Sequence, residues 1–225
     1  NELAADARAA RIILAEASEP SDAVTGRMIR TVGATEAVAR AVADEVPAGP
    51  DGDTWQRRLA PRIDVIQAQR VIAETERHGM RVLIPGDADW PASVNALGDH
   101  APFALWSKGD TALLSGPLWD RLTVTGGRAS TGYGEHVTAE LVQSAVADAR
   151  MVLSGGAYGI DGAAHRTALA SGGSTIAVLA GGLDRPYPAG HTELLARVGT
   201  DGLLLSELPP GAAPTKWRIL EPPSR

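Results

Sequence analysis

The run MVLSGGAYGIDGAAH at residues 151–165 combines a short apolar strand, a turn of small residues and the beginning of a helix. Three other stretches repeat the order of strand and turn, with strands predicted at Leu122–Thr125, Thr175–Leu179 and Leu203–Ser206. Strands that alternate with helical segments of this length indicate βαβ units and a parallel sheet. The stretch from Leu122 to Gly211 therefore predicts an α/β fold.

The turns that follow these strands are the expected site of function. They begin at Gly126, Gly155, Ala180 and Glu207. The carboxyl ends of parallel strands lie at one edge of a sheet, and open α/β sheets bind their ligands in the crevice there. We therefore expect the functional residues of this chain to gather at that edge.

The chain upstream of these units is predicted to begin with a small helical domain. Apolar residues at helical spacing predict three short helices, at 3–17, after the capping pair Ser21-Asp22, and at 34–46. A stretch rich in proline, glycine and aspartate then indicates a linker. We predict a helical domain at 1–46, a linker at 47–54 and a second domain at 55–225. A helical domain of this size buries little apolar area, so we expect it to pack on its neighbour.

The segment between the linker and the βα units is predicted to add to the sheet. A helical stretch at Trp55–Gly79 is interrupted by Pro61. Two short apolar runs, Val82–Ile84 and Phe103–Trp106, predict strands that end at turn residues. We expect these strands to extend the parallel sheet at one side.

The composition excludes several classes of protein. The absence of cysteine excludes disulfides, thiolate catalysis and cysteine-ligated zinc. The sequence contains no apolar run of about 18 residues, and its first residues lack the basic region of a signal peptide. We therefore expect a soluble, cytoplasmic protein with no membrane partner.

The net charge of −6 by itself argues against a nucleic-acid partner. The charge is unevenly spread, because residues 119–225 contain nine basic and ten acidic side chains and are close to neutral. A local basic groove in this half is still compatible with binding to a negatively charged strand.

The first turn, GGRASTGYG at 126–134, has the chemistry of a phosphate-binding turn. Glycine lets the backbone approach a ligand closely, and amide groups at the following helix start favour an anion. The guanidinium of Arg128 suits phosphate oxygens, and hydroxyls follow it. The alternative is that the glycines only make a tight turn. The candidate binding residues are Gly126, Gly127, Arg128, Ser130 and Tyr133.

The second turn again offers backbone donors at a helix start, from Gly155, Gly156 and Gly159. Tyr158 within it is either a stacking platform or a lid on the core. Asp161 and His165 are four residues apart and share a helix face. We expect a hydrogen bond between them rather than a metal pair, since no third ligand is near in sequence.

The last two turns contribute fewer candidates. Gly181 and Tyr187 belong to the third turn, where Tyr187 and His191 either face the crevice or form a loop stiffened by proline. Beyond the fourth turn, Lys216 and Arg218 flank Trp217, a combination that suits a nucleic-acid strand but is common.

The sequence does not indicate a reaction centre. It contains no Ser-His-Asp signature and no nucleophile elbow, and Glu207 is the only acid at a strand end and has no obvious partner. We expect a binder of phosphates that is not an enzyme and that has no metal and no cofactor.

Four ordered motifs resemble those of the DprA/Smf family of DNA-processing proteins. They are GGRASTGYG at 126–134, SGGAYGIDGAAH at 154–165, AVLAGGLDRPYPAG at 177–190 and LLSELPPG at 204–211, and LIPGDADWPASVNAL at 83–97 resembles the family's lead-in. The resemblance implies a Rossmann-like, mostly parallel sheet with helices on both faces, preceded by a small helical, SAM-like domain. It also implies binding of single-stranded DNA in natural transformation and recombination, with protection of incoming strands and loading of the RecA recombinase.

Residue by residue, Arg128 matches the family's DNA-contacting arginine, and Gly155, Gly156 and Gly159 match its second phosphate-contacting turn. Gly127 stands where the family usually has serine. The family's basic segment and homodimer surface follow its Pro-Pro-Gly motif, so the second domain is expected to be incomplete at its C-terminus and any homodimer to be weakened.

Two other classes of function are compatible with a sheet of this kind. A Rossmann-like nucleotide-ligand sensor or nucleotide hydrolase is the alternative, although hydrolases of that kind carry a Pro-Gly-Gly-x-Gly-Thr turn that this sequence lacks. A purely structural or partner-docking module is the third, and four glycine-rich turns at one sheet edge argue against it.

Overall fold

The computed structural model describes residues 6–45, 47 and 51–214. By backbone contacts they form two compact units. The first unit contains the described residues up to Leu105 together with Glu207–Pro209. The second contains Trp106–Ser206 and the described residues from Pro210 onward. The domain boundaries predicted at 46 and 55 stay a prediction.

The first unit is mainly helical. Its helices are α1 (Ala7–Ala17), α2 (Ala23–Val32), α3 (Ala34–Ala41), α4 (Gly52–Leu59) and α5 (Val65–Arg77), followed by strand β1 (Arg81–Leu83), with 3-10 turns at Ala60–Arg62 and Ala92–His100. Three of the helices begin at an aspartate whose side chain accepts a backbone N–H of the first turn: Asp6, Asp22 and Asp64. Such N-caps satisfy amides that have no partner within the helix.

The helices of the first unit share one apolar core. Trp55 is 1% exposed and donates its Nε1–H to Thr25 Oγ1 at 2.8 Å. Leu14 of α1, Ala37 of α3 and Leu59 of α4 belong to the same buried cluster. The N-terminal helices therefore share their core with α4 of the same unit.

Helix α4 begins at Gly52, inside the stretch that the sequence predicted as a linker. A Cβ at this position would lie 1.9 Å from the Pro47 carbonyl oxygen, so the chain folds back here at a distance that only glycine allows. The composition of this stretch predicted a linker, but a helix begins here because the apolar side chains of Trp55 and Leu59 are buried in the core.

The second unit contains the strands that carry the four motifs. Its elements are β2 (Leu105–Gly109), β3 (Arg121–Thr123), α6 (Gly132–Ala147), β4 (Met151–Ser154), α7 (Ile160–Ala170), β5 (Thr175–Val178), α8 (Thr192–Asp201) and β6 (Leu203–Ser206), with 3-10 turns at Thr111–Leu114, Leu118–Asp120 and Ala189–His191. The predicted β4 and β6 agree with the structure, whereas β3 begins and ends earlier and β5 ends one residue earlier.

The sheet has six strands in the order β1-β2-β6-β5-β4-β3. Strands β3 to β6 pair in parallel, with Leu122 opposite Val152 and Ile176 opposite Leu203. The mostly parallel sheet with helices and a helical N-terminal part confirms the predicted fold class. The expected parallel pairing of β2 is wrong, since it runs antiparallel to β6 with Trp106 opposite Ser206. Mixed sheets with an antiparallel outer part are common among doubly wound folds.

The core around α6 and α7 is made of small and branched side chains. Val142, Val152, Ala164 and Ala168 form one buried cluster, as expected for a chain with only 4% aromatic residues. Among the described residues, no helix is both long enough and apolar enough to cross a membrane.

Candidate nucleic-acid interface

The carboxyl ends of β3, β4 and β5 lead into turns that lie next to one another. We call residues 124–134, 155–160, 179–191 and 210–214 the turn edge, and number its turns in that order. Hydrogen bonds join each turn to the next: Ile160 to Gly127 at 3.3 Å, Gly190 to Tyr158 at 3.2 Å, and Gly182 to Ala212 at 2.9 Å. The motifs that are 30 or more residues apart in sequence therefore form one surface.

The first turn presents an exposed backbone and an exposed arginine. Gly126, Gly127 and Arg128 are all exposed. The hydroxyl of Ser130 donates to Glu135 at 2.6 Å, and Thr131 Oγ1 accepts the Gly134 N–H at 3.1 Å. Both hydroxyls thus help to start α6, so a phosphate at Ser130 would have to compete with a carboxylate for the same proton.

The first and second turns touch through glycine. Gly159 has φ 76° and ψ −127°, and a Cβ there would lie 2.2 Å from the Gly127 carbonyl oxygen. A Cβ on Gly126 would lie 2.8 Å from the Ile160 side chain. Because neither glycine has a side chain, the backbone of Arg128 can rest directly on the second turn.

The amides at the start of α7 are less available to an anion than the sequence predicts. The N–H groups of Ile160, Gly162 and Ala163 donate to the carbonyls of Gly127, Ala157 and Gly159. Only Gly155 of the second-turn glycines is exposed, and a Cβ on it would lie 2.8 Å from the carboxylate of Asp161. Contact with the first turn therefore uses the Ile160 N–H, one of the helix-start donors that the sequence offered to an anion.

Tyr158 joins the second turn to the third. Its side chain is 46% exposed, and its hydroxyl oxygen accepts the Gly190 N–H at 3.2 Å. The ring lies edge to face with His191, with centroids 4.9 Å apart and planes at 70°. His191 is only 7% exposed and donates from Nδ1 to the Gly156 carbonyl at 3.0 Å. His191 therefore does not face the crevice, whereas Tyr158 does.

The third and fourth turns contact each other through a hydrogen bond between backbone and side chain and through close packing at Gly181. Gly211 N–H donates to Asp184 Oδ1 at 2.9 Å. Gly181 is buried, and a Cβ on it would lie 3.0 Å from Pro214. Tyr187 is 52% exposed. Arg185, which no sequence pattern singled out, has a side chain that is 91% exposed in the same turn.

The expected hydrogen bond between Asp161 and His165 is not formed. His165 Nδ1 bonds Thr175 Oγ1 at 2.8 Å, and Asp161 instead accepts the Ala157 N–H at 3.3 Å. Asp161 thus ties the turn to its own helix, and His165 reaches across to β5. Burial lowers the pKa of His165 to about 4, with smaller contributions from His191 and Arg166.

The structure offers little acid–base chemistry near this surface. Burial raises the pKa of the Glu207 carboxyl. Over the described ranges, no group of three or more His, Cys, Asp or Glu side chains could hold a metal ion.

Lys216 and Arg218 lie outside the described residues. The exposed candidates that the structure brings to the turn edge are Gly126, Gly127, Arg128, Tyr133, Gly155, Tyr158 and Tyr187, with Arg185 added; Gly156 and Gly181 are buried beneath them.

Comparison with known proteins agrees with this architecture. The family described as DNA recombination-mediator protein A matches residues 81–221. The chain belongs to this family. It is 41% identical to a DprA protein of Mycobacterium tuberculosis over 217 residues, which cover 92% of this chain and 54% of that protein. It is 28% identical to DprA of Bacillus subtilis over 202 residues, 90% of this chain and 62% of that one.

The chain thus spans about half the length of the M. tuberculosis relative. DprA from Streptococcus pneumoniae has a similar structure, with a TM-score of 0.70 and 25% identity over 93% of this chain and 69% of that one. DprA from Helicobacter pylori, whose structure concerns its single-stranded DNA-binding mode, matches with a TM-score of 0.53 and 28% identity over 63% of this chain and 61% of that one.

Proposed function

We propose that this chain binds single-stranded DNA along the turn edge. The observation that carries the proposal is the continuity of the surface, since four turns placed side by side expose two arginines and three tyrosines. Guanidinium groups suit phosphates, and tyrosine rings suit unpaired bases, which are accessible only in a single strand. The H. pylori relative's single-stranded DNA-binding mode supports this choice of ligand.

In the cell, the chain acts as a DNA-processing protein of natural transformation and recombination. It protects incoming strands and helps to load the RecA recombinase, without catalysing a reaction itself. It acts in the cytoplasm and can form a homodimer. Family membership supports this role, as do the DprA relatives.

The first prediction concerns the choice of ligand. The chain should bind an oligothymidine more tightly than a blunt duplex or a mononucleotide, and its affinity should fall as salt rises. For single strands the slope of log K against log salt is about −0.7 per phosphate contacted. Fluorescence anisotropy across a salt series measures both effects. Equal affinity for the duplex would contradict the proposal, and a preference for the mononucleotide would favour a nucleotide sensor.

The second prediction concerns Arg128. Arg128→Ala should weaken binding about tenfold on every sequence, because a phosphate contact carries no base information, and should reduce the salt slope by about 0.7. Arg197→Ala is the matched control, since Arg197 is an exposed arginine of α8 whose side chain is 64% exposed and pairs with Asp201. Equal losses in the two variants would show a general charge effect and not a contact at the turn edge.

A further inference from the structure

His191 connects the parts of the second and third turns that surround Tyr158. Its Nδ1–H donates to the Gly156 carbonyl at 3.0 Å, which fixes the plane of the imidazole. The imidazole and the Tyr158 ring pack edge to face, with their centroids 4.9 Å apart. The backbone N–H of Gly190, the residue that precedes His191, donates to the Tyr158 hydroxyl at 3.2 Å. Tyr158 is thus held at both its ring and its hydroxyl.

Two glycines leave the space that this arrangement needs. A Cβ on Gly162 of α7 would lie 2.4 Å from Cε1 of His191. A Cβ on Gly190 would lie 2.6 Å from the Tyr158 hydroxyl. A larger residue at position 162 would displace His191, and a larger residue at position 190 would displace Tyr158. This explains why a glycine occurs in the first turn of α7.

The same contacts leave part of the Tyr158 ring open. His191 is 7% exposed, so it cannot serve as a stacking surface itself, while Tyr158 remains 46% exposed. A ring whose rotamer is fixed before the ligand arrives loses less conformational entropy on binding than a mobile one. Tyr158 is therefore a preformed surface and not a side chain that must be ordered by the strand.

We infer that His191 is a positioning residue for DNA binding, which acts by holding the Tyr158 ring in place for an unpaired base. The inference rests on the proposed function, and it adds a buried residue that makes no contact with the strand. It requires that the effect of His191 on affinity pass through Tyr158. Removal of His191 should therefore matter only while the tyrosine ring is present.

A double-mutant cycle on the full chain tests this requirement, with an oligothymidine as the probe. The variants are Tyr158→Ala, His191→Asn and the double variant. Asn keeps a donor that can reach Gly156, so the variant should fold, but it removes the imidazole ring that contacts Tyr158. Tyr158→Ala should weaken binding about 5- to 150-fold, the range of one stacked base. His191→Asn should weaken it at least about twofold, the lower end of coupling between residues in contact.

The decisive result is the behaviour of the double variant. It should bind no more weakly than Tyr158→Ala alone, because the histidine then has nothing to position. Additive losses would overturn the inference, and so would unchanged affinity in either single variant. His78→Asn, at the end of α5, is the matched control and should bind like the parent. If Arg128→Ala weakens binding while His191→Asn does not, the inference fails and the proposed function stands.

Discussion

Gly159→Ala is expected to abolish most of the single-stranded DNA binding and to lower the melting temperature by roughly 2–12 °C. The residue has φ 76° and ψ −127°, a region that essentially only glycine occupies. Holding alanine in such a conformation costs about 1–3 kcal/mol. In a domain of this size, each kcal/mol lowers the melting temperature by about 2–4 °C.

The loss of binding should exceed what the loss of stability explains. The added Cβ would lie 2.2 Å from the Gly127 carbonyl oxygen and 2.6 Å from that of Arg128. These are backbone atoms, so the clash can be relieved only if the first turn moves away from the second. Arg128 would then move away from the second turn, and the continuous surface would be broken.

Substitutions at two other glycines distinguish the effect of backbone strain from the effect of displacing the first turn. Gly172 has φ 73° and no atom within 4 Å of the place that a Cβ would take, so Gly172→Ala should cost stability and leave binding intact. Gly116 lies outside the left-handed region and has no atom within 4 Å of a Cβ, so Gly116→Ala should preserve both. Thermal unfolding by circular dichroism and anisotropy with labelled oligothymidine measure the two effects. Normal binding by a folded Gly159→Ala protein would show that contact between the turns is not needed.

The sequence predicted the location of the turn edge well because strand and turn signals are local. Met151–Ser154 and Leu203–Ser206 are apolar runs bounded by polar or glycine residues, and the structure places both strands there. Once the strands are parallel, the topology alone puts their following turns at one edge. The direction of Leu105–Gly109 has no such local signal, and its antiparallel pairing was not predicted.

The sequence could not predict which polar groups of the site are already used. The carbonyl of Gly127 meets the N–H of Ile160, which is 33 residues later, and no periodicity in the sequence reports such a contact. In the same way, the spacing of Asp161 and His165 suggests a helical pair, but Thr175, the first residue of β5, accepts the Nδ1 proton of His165 instead. In both cases the hydrogen-bond partner comes from a distant part of the chain, which the local sequence does not reveal.

A sharp fall in stability between about pH 6.5 and pH 4 is expected from His165. The side chain is fully buried, and burial lowers its pKa from 6.5 to about 4. Thr175 Oγ1 donates its proton to the Val152 carbonyl at 2.9 Å, so His165 must donate to it from Nδ1. Nε2 is then the unprotonated nitrogen, and it is buried without a hydrogen-bond partner among the described residues.

The sign of the effect follows from proton linkage. The folded pKa is depressed, so between pH 6.5 and pH 4 the unfolded chain binds a proton that the folded chain excludes. Stability is therefore complete above pH 6.5 and falls as the pH drops, by about 1.4 kcal/mol per unit. Over the whole interval this single histidine removes about 3 kcal/mol, a large part of the 5–15 kcal/mol typical of a folded domain.

His165→Asn isolates this contribution, because the amide nitrogen can replace Nδ1 as the donor to Thr175 but does not titrate. The variant should be less stable than the parent at pH 7, since it leaves a small cavity in the core. Its stability should nevertheless depend less on pH, so that the two proteins converge or cross near pH 4. Urea unfolding at half-unit steps from pH 7.5 to pH 4 measures both slopes, and carboxylates contribute equally to each. If His165→Asn keeps the parental slope, the buried imidazole accepts a proton within the folded protein, and the lowered pKa is wrong.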